Sequence, residues 1–213
     1  MQAGVYTNAA IFIQGGYRYC TDDELSLLIG HEIAHRILSH WDEWHAMNVL
    51  SNFFQMMMLP FQCARSTSFS SIIVDKNKYY KARRMSELES DFVGAFLAAR
   101  SCYDVRFAPV KWLKLHLFYN QKNTFSNNIH WENLASTHPN HMTRAKQMEE
   151  ILPLLLQERI STGCSELKKL DPREVFKEFQ KYVFNQTEIL DIQTFEKHFL
   201  DMISGININQ TTF

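Results

Sequence analysis

The sequence predicts a mainly α-helical chain of the α+β kind, with a small β-hairpin or sheet at its N-terminal edge. Three observations carry this. Asp22–Trp41 places Leu25, Leu27, Leu28, Ile29, Ile33, Ala34, Ile37 and Leu38 with few breakers, the pattern of a helix. Ser86–Tyr103 repeats the signal, with Leu88, Phe92, Ala95, Phe96 and Ala99 at helical spacing. Strand-like segments are confined to Val5–Tyr6 and Ala10–Gln14, at the very start. A chain of 213 residues has the length to bury one core. We divide it into a domain over 1–162 and a C-terminal helical tail over 163–213, which differs in character.

Taken in order, the two short strands flank a turn-like Thr7-Asn8, and Gly15-Gly16 marks a second turn or a close backbone approach. Such a hairpin offers an edge on which an extended peptide can pair. The first helix follows, with Thr21 or Asp22 as its N-cap. Between Glu43 and Arg65 no Asp, Glu, Lys or Arg occurs. There Val49, Leu50, Phe53, Met56 and Met57 are apolar, while Asn48, Ser51, Asn52 and Gln55 form a narrow polar stripe. Two readings stay open for Trp44–Ala64: a core helix, or an apolar face that touches a bilayer or a membrane protein. The polar stripe argues against spanning. Asp75–Arg84 is basic and reads as a solvated face. Phe107–Tyr119 forms a further helix, Gln121–His130 a polar loop, and Asn140 to about Glu158 another helix with Pro153 as a kink. In the tail, Asp171-Pro172-Arg173 opens a helix to about Phe184 with Phe176, Phe179 and Val183 inward, and Thr194–Ile203 forms a last one.

The chemistry lies in His31-Glu32-Ile33-Ala34-His35. Residues four apart share a helix face, so His31 and His35 aim two imidazoles at one point, a pairing suited to zinc. Glu32 lies off that face and can take the proton of a nucleophilic water. On the second strong helix, Glu87 and Asp91 are also four apart, and two carboxylates on one face repel unless something positive lies near. A zinc ion held by His31 and His35 relieves that repulsion. Glu87 then serves as third ligand, and Asp91 accepts a hydrogen bond from the outer nitrogen of a ligand His. His40 falls about half a turn off the ligand face, and no glycine breaks the helix to bring it round. His45 lies too far along the axis, so neither is expected to ligate. His138 precedes Pro139, which holds it extended.

Composition sets outer limits. A net charge of −1 offers no broad basic surface for nucleic acid. Cys20, Cys63, Cys102 and Cys164 form no CxxC pair, and free or buried thiols are expected. No signal peptide and no spanning-length apolar run is present.

With HEIAH, a downstream Glu87…Asp91 helix and Ser136-Thr137-His138-Pro139 in place, the chain resembles the HtpX and CAAX-prenyl-protease class of zinc metallopeptidases. Within that class it is most similar to the mitochondrial inner-membrane branch whose activity overlaps the m-AAA protease. The likeness runs from Met1 to about Phe176 and includes Arg144, in the STHP-x4-R spacing, and Asp171-Pro172-Arg173. It implies a zincin-like catalytic domain over 1–162 holding one zinc per chain through His31, His35 and Glu87. Glu32 is then the base, Asp91 supports the ligands, His138 stabilises an oxyanion and Arg144 braces that segment. Gln2, Gly4, Tyr6-Thr7, Gly15 and Ser90 depart from the family pattern. The family's targeting and membrane region precedes the strand pair, so the resemblance implies a missing N-terminal part. The expected activity is zinc-dependent endopeptidase cleavage of membrane-associated proteins in mitochondrial quality control, at the inner membrane. The alternative is a catalytically silent scaffold of the same build.

Overall fold

The computed structural model describes residues 3–5, 11–13, 19–62, 76–123, 138–186 and 188–205. Two three-residue strands, β1 (Ala3–Val5) and β2 (Ile11–Ile13), pair antiparallel with Gly4 opposite Phe12. The turns read at Thr7-Asn8 and Gly15-Gly16 lie outside the described residues. β1 lies beside α1 (Asp22–Ile37), the helix that carries the HEIAH stretch. α1 starts at a reciprocal cap: the Thr21 hydroxyl accepts from Glu24 N–H, and Glu24 accepts from Thr21 N–H at 3.1 Å.

α1 ends earlier than its apolar pattern implies. Leu38 caps it, and Ser39 adopts φ 56°, a left-handed conformation uncommon outside glycine. A second helix, α2 (His40–Gln62), starts at once. The single helix expected over Asp22–Trp41 is therefore two. α3 (Lys76–Arg100) begins ten residues before the expected Ser86, so the basic run joins the helix. Arg83 in that run is no simple solvated residue, because its guanidinium lies 3.5 Å from the centre of the Trp44 ring.

α1 and α3 cross in close contact. A Cβ placed on Gly30 would lie 2.5 Å from the Gly94 carbonyl oxygen, and one on Gly94 would lie 2.5 Å from His31 N. The two helices thus meet backbone to backbone, one residue from His31. α4 (Phe107–Asn123) meets α1, and α5 (His141–Ser161, with Pro153 inside) packs on both α3 and α4. α6 (Pro172–Phe184) and α7 (Ile192–Ile203) add Phe176, Phe179, Phe195 and Phe199 to the core that holds Ala95, Ala99, Val105, Met148 and Leu155. Fully burying such side chains contributes about 1.5–3 kcal/mol each.

The cysteines depart from expectation. Cys102 and Cys164 form a disulfide across 62 residues, with their Cα atoms 5.3 Å apart, and tie the end of α3 to the segment after α5. Cys20 carries a free thiol that burial pushes up to about 12.

Trp44–Ala64 divides between the two readings that its sequence leaves open. Trp44 is buried under Arg83. Further along α2, Val49, Leu50, Phe53, Met56 and Met57 are each more than half exposed. These side chains are surface and not core. Among the described residues no helix is long and apolar enough to cross a membrane.

Candidate metal centre

The α1–α3 crossing brings together residues that are more than fifty positions apart. His31 and His35, one turn apart on α1, face Glu87 on α3, and one ligand-capable atom of each lies within 4.8 Å of the others. His31 Nε2 and His35 Nε2 are 3.1 Å apart. Each faces one oxygen of Glu87, His31 Nε2 to Oε2 and His35 Nε2 to Oε1, both at 3.4 Å. All three residues are buried.

Asp91, one turn further along α3, takes the other side of His31, with Nδ1 to Oδ1 at 2.9 Å. An ionised carboxylate only accepts, so His31 carries its proton on Nδ1 and keeps a lone pair on Nε2. Arg144 of α5 grips both oxygens of Asp91, at 2.5 and 2.7 Å, and lies 3.5 Å over the Trp112 ring of α4. This planar fork on a carboxylate fixes geometry as well as charge. Burial would raise the Asp91 carboxyl, but Arg144 and His31 outweigh it and hold Asp91 down to about 2. Glu87 follows the same logic: burial works to raise it, yet the imidazoles of His138, His31 and His35 beside it hold it far below the usual carboxylate range. His31 is lowered by burial but raised on balance by Asp91 and Glu87.

His138 stands at the mouth, 57% exposed, with Nδ1 2.9 Å from Glu87 Oε2. Ser136 and Thr137 before it lie outside the described residues. Glu32 is buried on α1 next to His31, and among the described residues it takes part in no ion pair.

The donor set fits zinc. Bonds of about 2.0–2.1 Å to a tetrahedral zinc place neighbouring donor atoms roughly 3.3–3.4 Å apart. The imidazole and carboxylate atoms here are 3.1–3.4 Å apart. An imidazole lone pair and carboxylate oxygens converging in a buried space repel unless a cation lies between them.

Three features of this centre go beyond the sequence expectations. Trp112 floors Arg144. Gly30 and Gly94 set the crossing, and an interior helical glycine beside His31 is the available signal, since glycine costs a helix about 1 kcal/mol and persists for a packing reason. His40 is placed away from the ligands by a continuous helix, yet the turn at Ser39 brings its ring back: His40 Nδ1 lies 2.9 Å from His35 Nδ1, on the side away from Glu87. It is no part of the His31, His35 and Glu87 cluster. The Glu89 side chain is 60% exposed and reaches His40 Nε2 at 3.3 Å. Apart from this centre, a groove of about 1110 Å³ lies between α4, α5 and α6, and none of the centre's residues line it.

Comparison with known proteins adds identity to geometry. The family model described as Peptidase family M48 matches residues 3–152. Metalloendopeptidase OMA1, mitochondrial, of Homo sapiens is 30% identical over 218 residues, which covers 95% of this chain and 40% of that protein. The Danio rerio protein of the same name is 29% identical over 194 residues, 86% of this chain and 40% of the relative. Mitochondrial metalloendopeptidase OMA1 of Saccharomyces cerevisiae is 23% identical over 146 residues, 68% of this chain and 41% of the relative. The chain therefore spans about two fifths of the length of these relatives. No solved structure matches. With residues 3–152 covered by the family model, the chain belongs to peptidase family M48.

Proposed function

We propose that the chain is the catalytic part of a zinc-dependent metalloendopeptidase that cleaves membrane-associated proteins in mitochondria, with 1–162 carrying the chemistry and 163–213 its support. The observation that carries this reading is the convergence of His31, His35 and Glu87 in one buried site. Glu32, buried on α1, follows His31 directly. Zinc bound by these three residues would supply Lewis-acid polarisation of a scissile carbonyl and of a water. Glu32 takes the proton of the attacking water and passes it to the leaving amine. His138, exposed at the mouth, donates to the oxyanion that develops on the carbonyl oxygen. Asp91 and Arg144 hold the His31 ring so that Nε2 keeps its lone pair. The β1–β2 sheet beside α1 is the edge on which we place an extended substrate.

Glu32→Gln tests the chemistry: zinc content and melting temperature are retained and peptide cleavage is lost, because an amide cannot accept the proton. Equal cleavage by wild type and Glu32→Gln refutes the assignment. A wild type that holds zinc and cleaves nothing favours the silent scaffold. His35→Ala and Glu87→Ala each lower zinc below the expected one ion per chain.

We further propose that the exposed apolar run of α2 rests on the inner-membrane surface and brings membrane-bound substrates to the site. Solvent-exposed apolar faces of this extent mark contact sites. Phe53→Glu with Met57→Glu should weaken flotation with liposomes and leave the melt unchanged. A wild type that never floats refutes the membrane contact.

A further inference from the structure

The early end of α1 has a chemical result. Because the chain turns at Ser39, α2 opens with a histidine whose ring folds back under His35. His40 is 1% exposed. Its Nδ1 lies 2.9 Å from His35 Nδ1 and 3.2 Å from Ser90 Oγ, and its Nε2 lies 3.3 Å from Glu89 Oε2. Two ring nitrogens at 2.9 Å share one proton, so one donates and the other accepts. Glu89 decides which. An ionised carboxylate only accepts, so it takes the Nε2–H of His40. A neutral imidazole protonated at Nε2 keeps its lone pair on Nδ1. His35 must then donate its Nδ1–H to His40. The reverse assignment sets a bare Nε2 against the Glu89 carboxylate and moves the His35 proton to Nε2, the atom that faces Glu87.

We propose that Glu89 and His40 form a relay that fixes the tautomer and tilt of His35, with His40 as a positioning residue. It does for His35 what Asp91 does for His31, using a neutral ring in place of a carboxylate. Ser90, whose hydroxyl oxygen lies 3.2 Å from the same nitrogen, holds the ring against α3. The two ligand imidazoles are thus oriented from opposite sides by two different devices, both anchored on α3. This inference rests on the metal-site reading of His31, His35 and Glu87.

The test is zinc affinity of the metal-free full chain, titrated with zinc ion against a chromophoric chelator, beside a thermal melt. His40→Leu removes the acceptor. His40→Gln keeps it, since the amide oxygen can face His35 while the amide nitrogen faces Glu89. His40→Leu is expected to lose about 10–100-fold in zinc affinity, as when other partners of a ligand histidine are removed, and His40→Gln to recover most of it. The visible spectrum of the cobalt-substituted chain should change in His40→Leu and return in His40→Gln. His40→Leu that binds zinc as wild type does, or equal losses in both variants, overturns the relay. If His40→Leu does not fold, the exposed Glu89 decides: Glu89→Ala should weaken zinc and Glu89→Gln, which still accepts through its oxygen, should not. Equal affinities in that pair overturn the relay. Failure of the underlying metal site reads differently, since His35→Ala would then leave zinc binding unchanged.

Discussion

Gly94→Ala tests whether the helix crossing builds the centre. The added methyl would sit 2.5 Å from His31 N, 2.7 Å from Gly30 C and 2.8 Å from His31 Cα. All three are backbone atoms, so no side chain can swing aside. Relief to ordinary contact near 3.4 Å requires the helices to part by roughly 0.9 Å. Overpacking of this kind costs about 3 kcal/mol, while alanine's better helix propensity returns about 1 kcal/mol. The net loss of about 2 kcal/mol lowers the melting temperature by about 4–8 °C in a domain of this size. The same displacement carries Glu87 away from His31 and His35, whose contacts are only 3.4 Å long. Zinc affinity therefore falls together with stability. Differential scanning fluorimetry and a zinc titration on the same preparation read both. Gly30→Ala, facing the Gly94 carbonyl oxygen at 2.5 Å, should behave alike. A Gly94→Ala chain that melts higher than wild type and binds zinc normally would show that the helices do not meet at this distance, and the account of the crossing would fail.

Asp91 gives stability a pH dependence. Its folded value of about 2 lies below the ordinary 3.8, so its contribution of about 2 kcal/mol is present above pH 4 and lost as pH falls through 2; an acid titration of wild type against Asp91→Asn should show the difference shrink over that window. Lys114→Met leaves Glu24 and Glu196 facing each other in the core and should cost about 3–5 kcal/mol at pH 7. Part of that loss returns as the pH is lowered and a carboxyl of the pair protonates, and a loss independent of pH would refute the charge argument. Cys102→Ser with Cys164→Ser opens a 62-residue loop and should cost about 4 kcal/mol on the loop-entropy account; unchanged urea midpoints in the oxidised wild type and the double variant would refute it.

Local signals are legible in this sequence and tertiary ones are not. HEIAH on a helix follows from periodicity alone, and only beside that motif does the Glu87–Asp91 repulsion point to a cation. The caps at Thr21 and Asp171 are likewise local, each a side chain bonding its own next turn. The break after α1 is hidden because Ser39 reaches φ 56° without glycine or proline to announce it. The disulfide is hidden because pairing depends on where α3 ends relative to α5, and spacing along the chain carries no such information. Arg83 reads as a solvated cation because its partner, Trp44, lies on another helix. The start of α3 at Lys76 goes unannounced since its first turns lack an apolar stripe.

The C-terminal helices bear on the centre through a single buried cation. Lys114 of α4, 2% exposed, binds Glu24 Oε1 at 2.6 Å and also contacts Glu196 of α7. Burial lowers a lysine, but these two carboxylates outweigh it and raise Lys114 above its usual range. Lys111, one turn earlier and without such a clamp, is pushed down by burial to about 8. Glu24 spends its other oxygen on the Thr21 cap. One carboxylate therefore closes the first turn of α1 and ties that turn to α4 and, through Lys114, to α7. His31 follows seven residues later on the same helix, about 10 Å along the axis. A rotation or slide of α1 that moved its imidazoles would have to break the cap or strand a buried charge, and either costs more than an apolar contact would resist. The Gly30–Gly94 crossing sets how close α1 lies to α3, and the Glu24–Lys114–Glu196 clamp sets where along its axis it stops; together they place His31 and His35 opposite Glu87.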